Sequence, residues 1–424
     1  MIGKIYYDLN SISEFNQLIN NNEMTDLNIL NKHECQVKGN NYKVIRYNKN
    51  ILSTSLIPTY GLCRSIILNS ENKVLSFSPP KSIPTDEFII NYDSDDESLI
   101  VEEFVEGTMI NVFWDDKCGL TGCWEIATRN SVGAETSFYK YVHAKTFRTM
   151  FLEALLVNNL NLDMLNRDYS YSFVLQHPEN RIVVPFVKPQ LYLVAVYLIT
   201  QIRKPEEKLD IVNVFPANMR VVKENELWKN TTIKFPQQYS FKSYCELIEK
   251  YASMNTPYNI LGVVIYSTKT GERCKIRNPV YEQVRVLKGN QPKLQYQYLV
   301  LRNQGKVVDY LKYYPESKKN FSQFRDQVHL FTNTLFSNYL LCYVKKEKPL
   351  TEFSEQYRSH MFKLHQIYIS ELREKKLFVT NTVVIKYVNS LHPSQLMFSI
   401  NYPMRKRNID TIKCENIEEL VVHH

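Results

Sequence analysis

Five short blocks of the chain stand out, and four of them carry basic residues that could bind phosphate groups. Arginine and lysine are the side chains that proteins use to hold phosphate oxygens, and arginine can do so through two parallel hydrogen bonds. A salt bridge to a nearby acidic residue is the ordinary structural alternative for each of them. The candidate phosphate-binding residues are Arg64, Arg129, Arg181, Lys275 and Arg277.

The order and spacing of the blocks resemble the covalent nucleotidyltransferase superfamily, which contains RNA ligases, DNA ligases and capping enzymes. The resemblance is greatest to the RNA ligases of T-even bacteriophages, and it covers residues 40–285. Each block alone is a weak signal, and their common order makes the resemblance specific. The blocks are Tyr60-Gly-Leu-Cys-Arg64-Ser, Glu102-Glu-Phe-Val-Glu-Gly-Thr-Met, Trp124-Glu-Ile-Ala-Thr-Arg, Phe173-Val-Leu-Gln-His-Pro-Glu-Asn-Arg-Ile-Val, and Leu261-Gly-Val-Val followed by Lys275-Ile-Arg277.

The resemblance implies an α+β fold, in which a ligase-type nucleotidyltransferase (adenylation) domain with antiparallel sheets is followed by an all-helical C-terminal domain. It also implies a chemistry, in which a lysine amine attacks the α-phosphate of ATP and forms a lysyl-AMP adduct. Carboxylates of two later motifs and a divalent metal assist, and basic residues of the last motif hold the α-phosphate. Degenerate proteins of this kind are typical of large DNA viruses.

The sequence departs from the family pattern at its catalytic positions. Phe104 lies at the position of the nucleophilic lysine, and Val174 and Leu261 lie at the positions of two glutamates, while Glu106 and Gly107 complete the degenerate turn. A phenyl ring cannot form a phosphoramidate, and losing a covalent nucleophile costs about a millionfold in rate. We therefore expect no catalytic residue, no metal site and no cofactor. An active ligase would instead require ATP and Mg²⁺.

Three functions remain open at this point. The first is an RNA-ligase-like pseudoenzyme that binds RNA, an RNA end or a cap-like nucleotide without forming an adduct. The second is an active ATP-dependent RNA ligase that joins or repairs RNA ends through a nucleophile placed elsewhere. The third is a structural or assembly subunit of a viral complex, which would have a protein partner. The missing lysine favours the first, so the sequence leans against an enzyme.

Hydrophobic periodicity divides the chain into a strand-rich part and a helical part. Short β-branched runs separated by turn residues predict strands over residues 1–288, with one helix over 139–159. Apolar residues at intervals of three and four predict helices over 321–339, 353–372 and 380–391. We expect a nucleotidyltransferase-like domain over 1–288, a basic helical domain over 289–408 and an acidic tail over 409–424.

The positive charge is concentrated in the helical part. The 424 residues include 52 Lys+Arg and 44 Asp+Glu, for a net charge of +8, but residues 291–408 alone hold 19 basic and 8 acidic residues. A local basic surplus is typical of a surface that binds RNA or another polyanion, although a solvated helical surface has the same composition. The candidate RNA-binding residues are Lys345, Lys346, Lys348, Arg405, Lys406 and Arg407.

Composition excludes several other classes of protein. Hydrophobic residues make up 44% of the chain, which is enough for a folded core, and no apolar run approaches the ~20 residues that cross a bilayer. The eight cysteines contain no Cys-x-x-Cys pair and are expected to be reduced, which favours an intracellular protein. We expect a cytoplasmic location, which for a viral protein is the host cytoplasm, and no membrane partner.

Overall fold

The structure is a computed structural model that describes residues 5–19, 29–138, 144–204 and 209–406. The chain divides into two compact units, Met1–Arg285 and Val286–His424. Arg407 and the expected acidic tail lie outside the described residues. Within the described ranges, every helix is too short or too polar to cross a lipid bilayer.

The first unit is built on three sheets whose described ladders are all antiparallel, which confirms the expected fold class. The strands are β1 (Tyr7–Asp8), β2 (Leu30–Val37), β3 (Asn40–Tyr47), β4 (Ile66–Leu68), β5 (Val74–Phe77), β6 (Leu99–Glu103), β7 (Thr108–Asp115), β8 (Cys123–Ala127), β9 (Tyr169–Gln176), β10 (Gln190–Lys204), β11 (Leu209–Pro216), β12 (Gln238–Tyr239), β13 (Gly262–Ser267) and β14 (Arg273–Arg277). The six-stranded sheet has the order β1-β11-β10-β9-β7-β8. The four-stranded sheets have the orders β12-β6-β13-β14 and β2-β3-β4-β5.

Strand burial explains which side chains remain free to form a site. In β9, at the centre of the six-stranded sheet, the six inner residues are buried, which suits its run of aromatic and β-branched residues. In β14, Cys274 and Ile276 pack into the core of the β6–β13–β14 sheet. Because side chains alternate along a strand, Arg273, Lys275 and Arg277 lie together on the opposite face.

The helices of the first unit are short. They are α1 (Ser13–Ile19), α2 (Ile57–Tyr60), α3 (Thr85–Asn91), α4 (Phe147–Val157), α5 (Met219–Lys223), α6 (Tyr244–Tyr251) and α7 (Pro279–Lys288). The helix expected over 139–159 is only partly right, since residues 139–143 lie outside the described residues and α4 begins at Phe147. The side chain of Thr146 fixes that start by accepting a hydrogen bond from the Thr149 amide at 3.1 Å.

The second unit contains helices and no strand among its described residues, as expected for the C-terminal part. Its helices are α8 (Leu294–Asn303), α9 (Val307–Tyr313), α10 (Lys318–Tyr339), α11 (Glu355–Ile367), α12 (Asn381–Ser390) and α13 (Pro393–Ile400). The apolar stripe of α10 is buried at Phe321, Val328, Phe331 and Leu335, which supports its interpretation as core. The buried His360 ring bonds Tyr387 at 2.7 Å and Ser399 at 2.8 Å and so links α11, α12 and α13.

Two details of the second unit differ from the expectation. The helix expected over 353–372 begins at Glu355, with Phe353 in the preceding loop. Both α10 and α11 end in a wider π-helical turn, at Leu340–Val344 and Tyr368–Leu372. Each turn leads to a lysine in the left-handed conformation, Lys346 at φ 56° and Lys376 at φ 54°.

The cysteine expectation is wrong for one pair. Cys118 and Cys123 form a disulfide in the structure. The β7–β8 hairpin brings their Cα atoms to 5.4 Å, which is within the range that a disulfide can bridge. The described cysteines Cys35, Cys63, Cys245, Cys274 and Cys342 are free.

Candidate phosphate-binding site

All five sequence blocks contribute directly to one cavity of about 1190 Å³ in the first unit. The wall of the cavity includes Arg64, Phe104, Arg129, Val174 and Leu261. Residues 104–107 connect β6 of one sheet to β7 of another, so the degenerate turn lies where the two sheets meet. Lys275 and Arg277 enter the same cavity from β14.

Phe104 lies against the two basic residues of the last block. Its amide donates to the Gly262 carbonyl at 3.1 Å, which fixes the turn to the start of β13. The centroid of its ring is 4.6 Å from the Lys275 Nζ and 5.6 Å from the Arg277 Cζ. A cation over the face of an aromatic ring is attracted by the ring quadrupole. The ring therefore contributes to holding these cations and offers no nucleophile.

Glu106 and Gly107 brace the turn. The Glu106 carboxylate accepts hydrogen bonds from the amides of Val183 at 2.8 Å and Val184 at 3.1 Å. Burial raises the pKa of this carboxyl, and the two amides oppose the rise. Gly107 has φ +149°, and a Cβ there would lie 2.5 Å from the Leu175 carbonyl oxygen. Glu106 therefore ties the turn to the segment after β9, and Gly107 allows the turn to approach β9 itself.

Val174 and Leu261, where the resemblance predicts that two glutamates are replaced, are apolar positions of the cavity wall. Val174 is 6% exposed and packs with Val105 and Tyr192, and Leu261 is 9% exposed. Neither side chain has a lone pair for a metal. The described residues contain no group of three His, Cys, Asp or Glu side chains placed to hold a metal ion.

A set of basic residues surrounds the cavity, and we call Arg64, Lys81, Arg129, Arg273 and Lys275 the cationic cluster. The pKa of Lys275 is lowered to about 6, mainly by burial and then by the charges of Arg273, Arg64, Arg277 and Lys81 in that order. Burial and then Arg273 lower the pKa of Arg64 to about 10. Lys81 does not line the cavity, but burial, Arg64 and Arg129 lower its pKa.

The cationic cluster is not neutralised by neighbouring acids. Within the described residues, none of its five members lies within 4.0 Å of a carboxylate oxygen. The Nε atoms of Arg129 and Arg273 are buried without a hydrogen-bond partner. Arg64 donates to the Pro79 carbonyl at 3.3 Å. A buried cation without a partner is unfavourable, so this arrangement is typical of an anion site.

Two candidates have other roles in the structure. Arg277 is exposed and pairs with Glu282 at 2.8 Å, so its charge is already partly compensated. Arg181 does not line the cavity, and its Nε donates to the Val183 carbonyl at 3.0 Å. That bond braces the segment from Pro178 to Val183.

Arg273 is the site residue that the sequence interpretation missed. The signal was present in the Arg273-Cys-Lys-Ile-Arg277 run, where basic residues recur at every second position. In a half-buried strand this spacing places all three on one face.

The basic candidates of the second unit lie on two different elements. Lys345, Lys346 and Lys348 are exposed and follow the π-helical turn of α10. Lys406 is exposed, whereas Arg405 lies over the Phe398 ring at 3.3 Å from Cζ to the ring centroid.

Near Lys345, Lys346 and Lys348, four rings from α10, α11 and their terminal turns form a stack. We call Tyr339, Tyr343, His365 and Tyr368 the aromatic row. The centroids of Tyr343 and His365 are 4.0 Å apart with an interplanar angle of 16°, and Tyr339 and Tyr368 extend the row at 5.3 Å and 5.9 Å. Tyr343, His365 and Tyr368 are partly exposed, so the row has accessible ring surface.

No family model matches the chain. Over 211 residues it is 25% identical to an RNA ligase of Rhodothermus phage RM378, a match that covers 44% of this chain and 45% of the relative. The chain is RNA-ligase-like in sequence. It is also 25% identical over 319 residues to the immediate-early protein ICP-46 homolog of Invertebrate iridescent virus 6, which covers 69% of this chain and 65% of that protein.

These comparisons confirm the resemblance to RNA ligases and the expectation of viral relatives. The RNA-ligase-like chain spans less than two thirds of the length of either relative. Among solved structures it matches an RNA ligase variant of Naegleria gruberi with AMP and Mn, at 13% identity and a TM-score of 0.33, over 49% of this chain and 57% of that one. The resemblance to RNA ligases therefore rests on the sequence relatives.

Proposed function

We propose that this protein is an RNA-ligase-like pseudoenzyme that binds RNA, through an RNA end or a cap-like nucleotide, and forms no lysyl–nucleotide adduct. The observation that carries the proposal is the pairing of Phe104 with Lys275. An aromatic ring lies where the resemblance places the family's nucleophile, and it faces the Lys275 amine of the last motif. The chemistry of covalent transfer is absent at that position, whereas the groups that hold phosphate are retained.

The two parts of the chain would have different roles in RNA binding. The part over 1–288 would hold the phosphates of the RNA end in the cavity, and the part over 289–408 would contact the RNA strand. The two viral relatives support a role in the host cytoplasm. A protein partner in a larger viral complex remains compatible with RNA binding, and failure to bind any RNA at moderate salt would favour that alternative.

One observation favours the active-ligase alternative. A lysine nucleophile must be neutral to attack phosphorus, and the pKa of Lys275 is lowered to about 6. Its amine is therefore largely unprotonated at neutral pH inside the cavity. Against this, the apolar residues Val174 and Leu261 leave no carboxylate at the metal-binding positions of the related family.

Incubation with α-labelled ATP or GTP and Mg²⁺ should leave no label on the protein after denaturing electrophoresis. The reason is that Phe104 cannot form a phosphoramidate. We expect the Phe104→Lys variant to remain unlabelled as well, because Val174 and Leu261 still cannot hold the metal. A competent RNA ligase in the same buffer is the positive control. A labelled wild-type band that disappears in Lys275→Arg would instead establish an active enzyme.

Single-stranded RNA should bind the second unit through the aromatic row. Bases stack on aromatic rings with about 1–3 kcal/mol per base. Tyr343→Ala is therefore expected to weaken the binding of a short unstructured RNA by about tenfold.

Replacing Lys345, Lys346 and Lys348 by glutamine should make RNA affinity less dependent on salt. The slope of log affinity against log salt concentration should fall by about 0.7 for each phosphate that the variant no longer neutralises.

The matched control for the aromatic row is Phe362→Ala. Phe362 is a 52% exposed ring on α11 outside the row, so its removal should leave RNA affinity unchanged. Melting curves of each variant exclude a general loss of structure. Equal affinities of the Tyr343→Ala and Phe362→Ala variants would remove the aromatic row from the binding surface.

A further inference from the structure

The cavity does not fit the divalent metal that ATP-dependent ligases use. Magnesium requires near-octahedral oxygen ligands, usually with one or two carboxylates from the protein. Val174 and Leu261 supply none, and the Glu106 carboxylate is occupied by two backbone amides. Glu102 accepts hydrogen bonds from Gln238 at 3.1 Å and Tyr266 at 3.2 Å. Glu103 also lines the cavity and accepts a hydrogen bond from the Gln237 amide at 3.4 Å. Glu97, the remaining carboxylate of the wall, belongs to no group of three possible metal ligands among the described residues.

The cationic cluster supplies positive charge in the place where a metal would otherwise supply it. Arg64, Arg129, Arg273 and Lys275 line the cavity, and none of them has a carboxylate partner among the described residues. The buried Nε atoms of Arg129 and Arg273 are donors that still lack an acceptor. Guanidinium groups bind phosphate oxygens through paired hydrogen bonds. They can therefore contact the phosphate oxygens that a metal ion would otherwise bind.

The number of charges indicates the size of the anion. A terminal phosphate carries about −1.5 to −2 charges at neutral pH. Arg64, Arg129 and Arg273 line the cavity as permanent charges, and Lys275 adds a further charge when a bound anion favours its protonated form. One phosphate would therefore leave part of this charge uncompensated. A chain of phosphates matches the cluster more closely and could reach several of its members at once. The size of the cavity, about 1190 Å³, leaves room for a polyphosphate with an attached nucleoside.

We propose that the cavity binds a terminal polyphosphate, as carried by a nucleoside triphosphate or a 5′-triphosphorylated RNA, without a divalent metal. The inference rests on the proposed function, since it assumes non-covalent binding in this cavity. Added Mg²⁺ would place a further cation among cations and would mask the phosphate charges that the cluster recognises. Chelation of metal should therefore leave the affinity unchanged or increase it.

The test uses the full chain and three fluorescent RNAs of one sequence with a 5′-triphosphate, a 5′-monophosphate or a 5′-hydroxyl. Anisotropy titrations are run with excess EDTA and with Mg²⁺. The triphosphate RNA should bind at least about tenfold more tightly than the hydroxyl RNA in EDTA. Competition by ATP or inorganic tripolyphosphate identifies a free nucleotide as a sufficient ligand, and its absence identifies the RNA end.

Arg273→Gln should reduce the preference for the triphosphate, because glutamine retains hydrogen bonding but removes the charge. Lys229→Gln is the matched control, since Lys229 is an exposed residue paired with Glu226 outside the cavity. A triphosphate preference that appears only with Mg²⁺ would overturn the metal-free inference and leave non-covalent binding intact. Equal binding of all three RNAs in both buffers would reject the polyphosphate site, and this comparison depends on no variant.

Discussion

Lys275→Met is expected to stabilise the ligand-free protein while it weakens triphosphate binding. Methionine fills a similar volume without an amine that must be desolvated beside Arg273, Arg64 and Arg277. Replacing buried ion pairs by apolar side chains often stabilises a fold by about 1–4 kcal/mol, and a gain of this order is expected for a buried amine without a carboxylate partner. The loss of one charge-assisted hydrogen bond to phosphate should weaken binding at least about tenfold. Thermal melting and anisotropy titration measure the two effects separately.

The two effects have opposite signs only if Lys275 serves a ligand. A lysine that served the fold through a hidden ion pair would lose stability on the same substitution. A lower melting temperature for Lys275→Met would therefore contradict the anion site. Lys229→Met, on the exposed surface, is the control for a methionine substitution as such and should change neither quantity.

The pH dependence gives an independent readout of the same residue. Since the pKa of Lys275 is lowered from 10.5 to about 6, the unfolded chain binds more protons than the folded protein between these values. Stability should therefore rise with pH across that window, and this contribution should vanish in Lys275→Met. Phosphate pairs with the protonated amine, so affinity should increase as the pH falls from about 8 towards 6.

Lys275→Arg is the matched variant for the pH measurement. Its guanidinium remains charged throughout this range, so the part of the pH dependence that comes from position 275 should disappear. The terminal phosphate also titrates near pH 6, and this contribution is shared by all variants. Identical pH profiles for the wild type and Lys275→Arg would show that Lys275 does not change protonation on binding.

Gly262→Ala is expected to disrupt the β13–β14 ladder and, with it, the site. Gly262 has φ +128°, and a Cβ there would lie 2.1 Å from the carbonyl oxygen of Ile276. The obstacle is backbone, so no side-chain movement can relieve it. Gly262 also pairs with Arg277 and accepts from the Phe104 amide. The expected destabilisation is about 4 kcal/mol or more, which is a large part of the stability of an ordinary domain.

Urea denaturation and triphosphate binding would both report this loss. Gly39→Ala provides the matched control, because Gly39 also has a positive φ, +83°, but a Cβ added there would have no atom within 4 Å. That variant should lose only about 1–2 kcal/mol from the left-handed conformation. Similar unfolding midpoints for the two variants would show that the clash with Ile276 is relieved by a backbone shift.

The strand-rich and helical parts could be predicted from periodicity, and the alternation along β14 could have identified Arg273. The exact ends of the individual helices could not be predicted from periodicity. The start of α4 depends on the Thr146 cap, and the π-helical turns after α10 and α11 depend on packing among Tyr339, Tyr343 and His365. The Cys118–Cys123 disulfide depends on the geometry of a hairpin that spacing alone does not define.

The sequence by itself determined which chemical groups are present. The resemblance to RNA ligases places Phe104, Val174 and Leu261 at the positions of a nucleophilic lysine and two glutamates, and no folding can give these side chains an amine or a carboxylate. The tertiary structure decided which basic residues act together. It placed Arg64, Arg129, Arg273 and Lys275 around one cavity, left Arg277 paired with Glu282, and turned Arg181 towards Val183. The reason is that charge is a property of a side chain, whereas its neutralisation depends on distances between segments far apart in the chain.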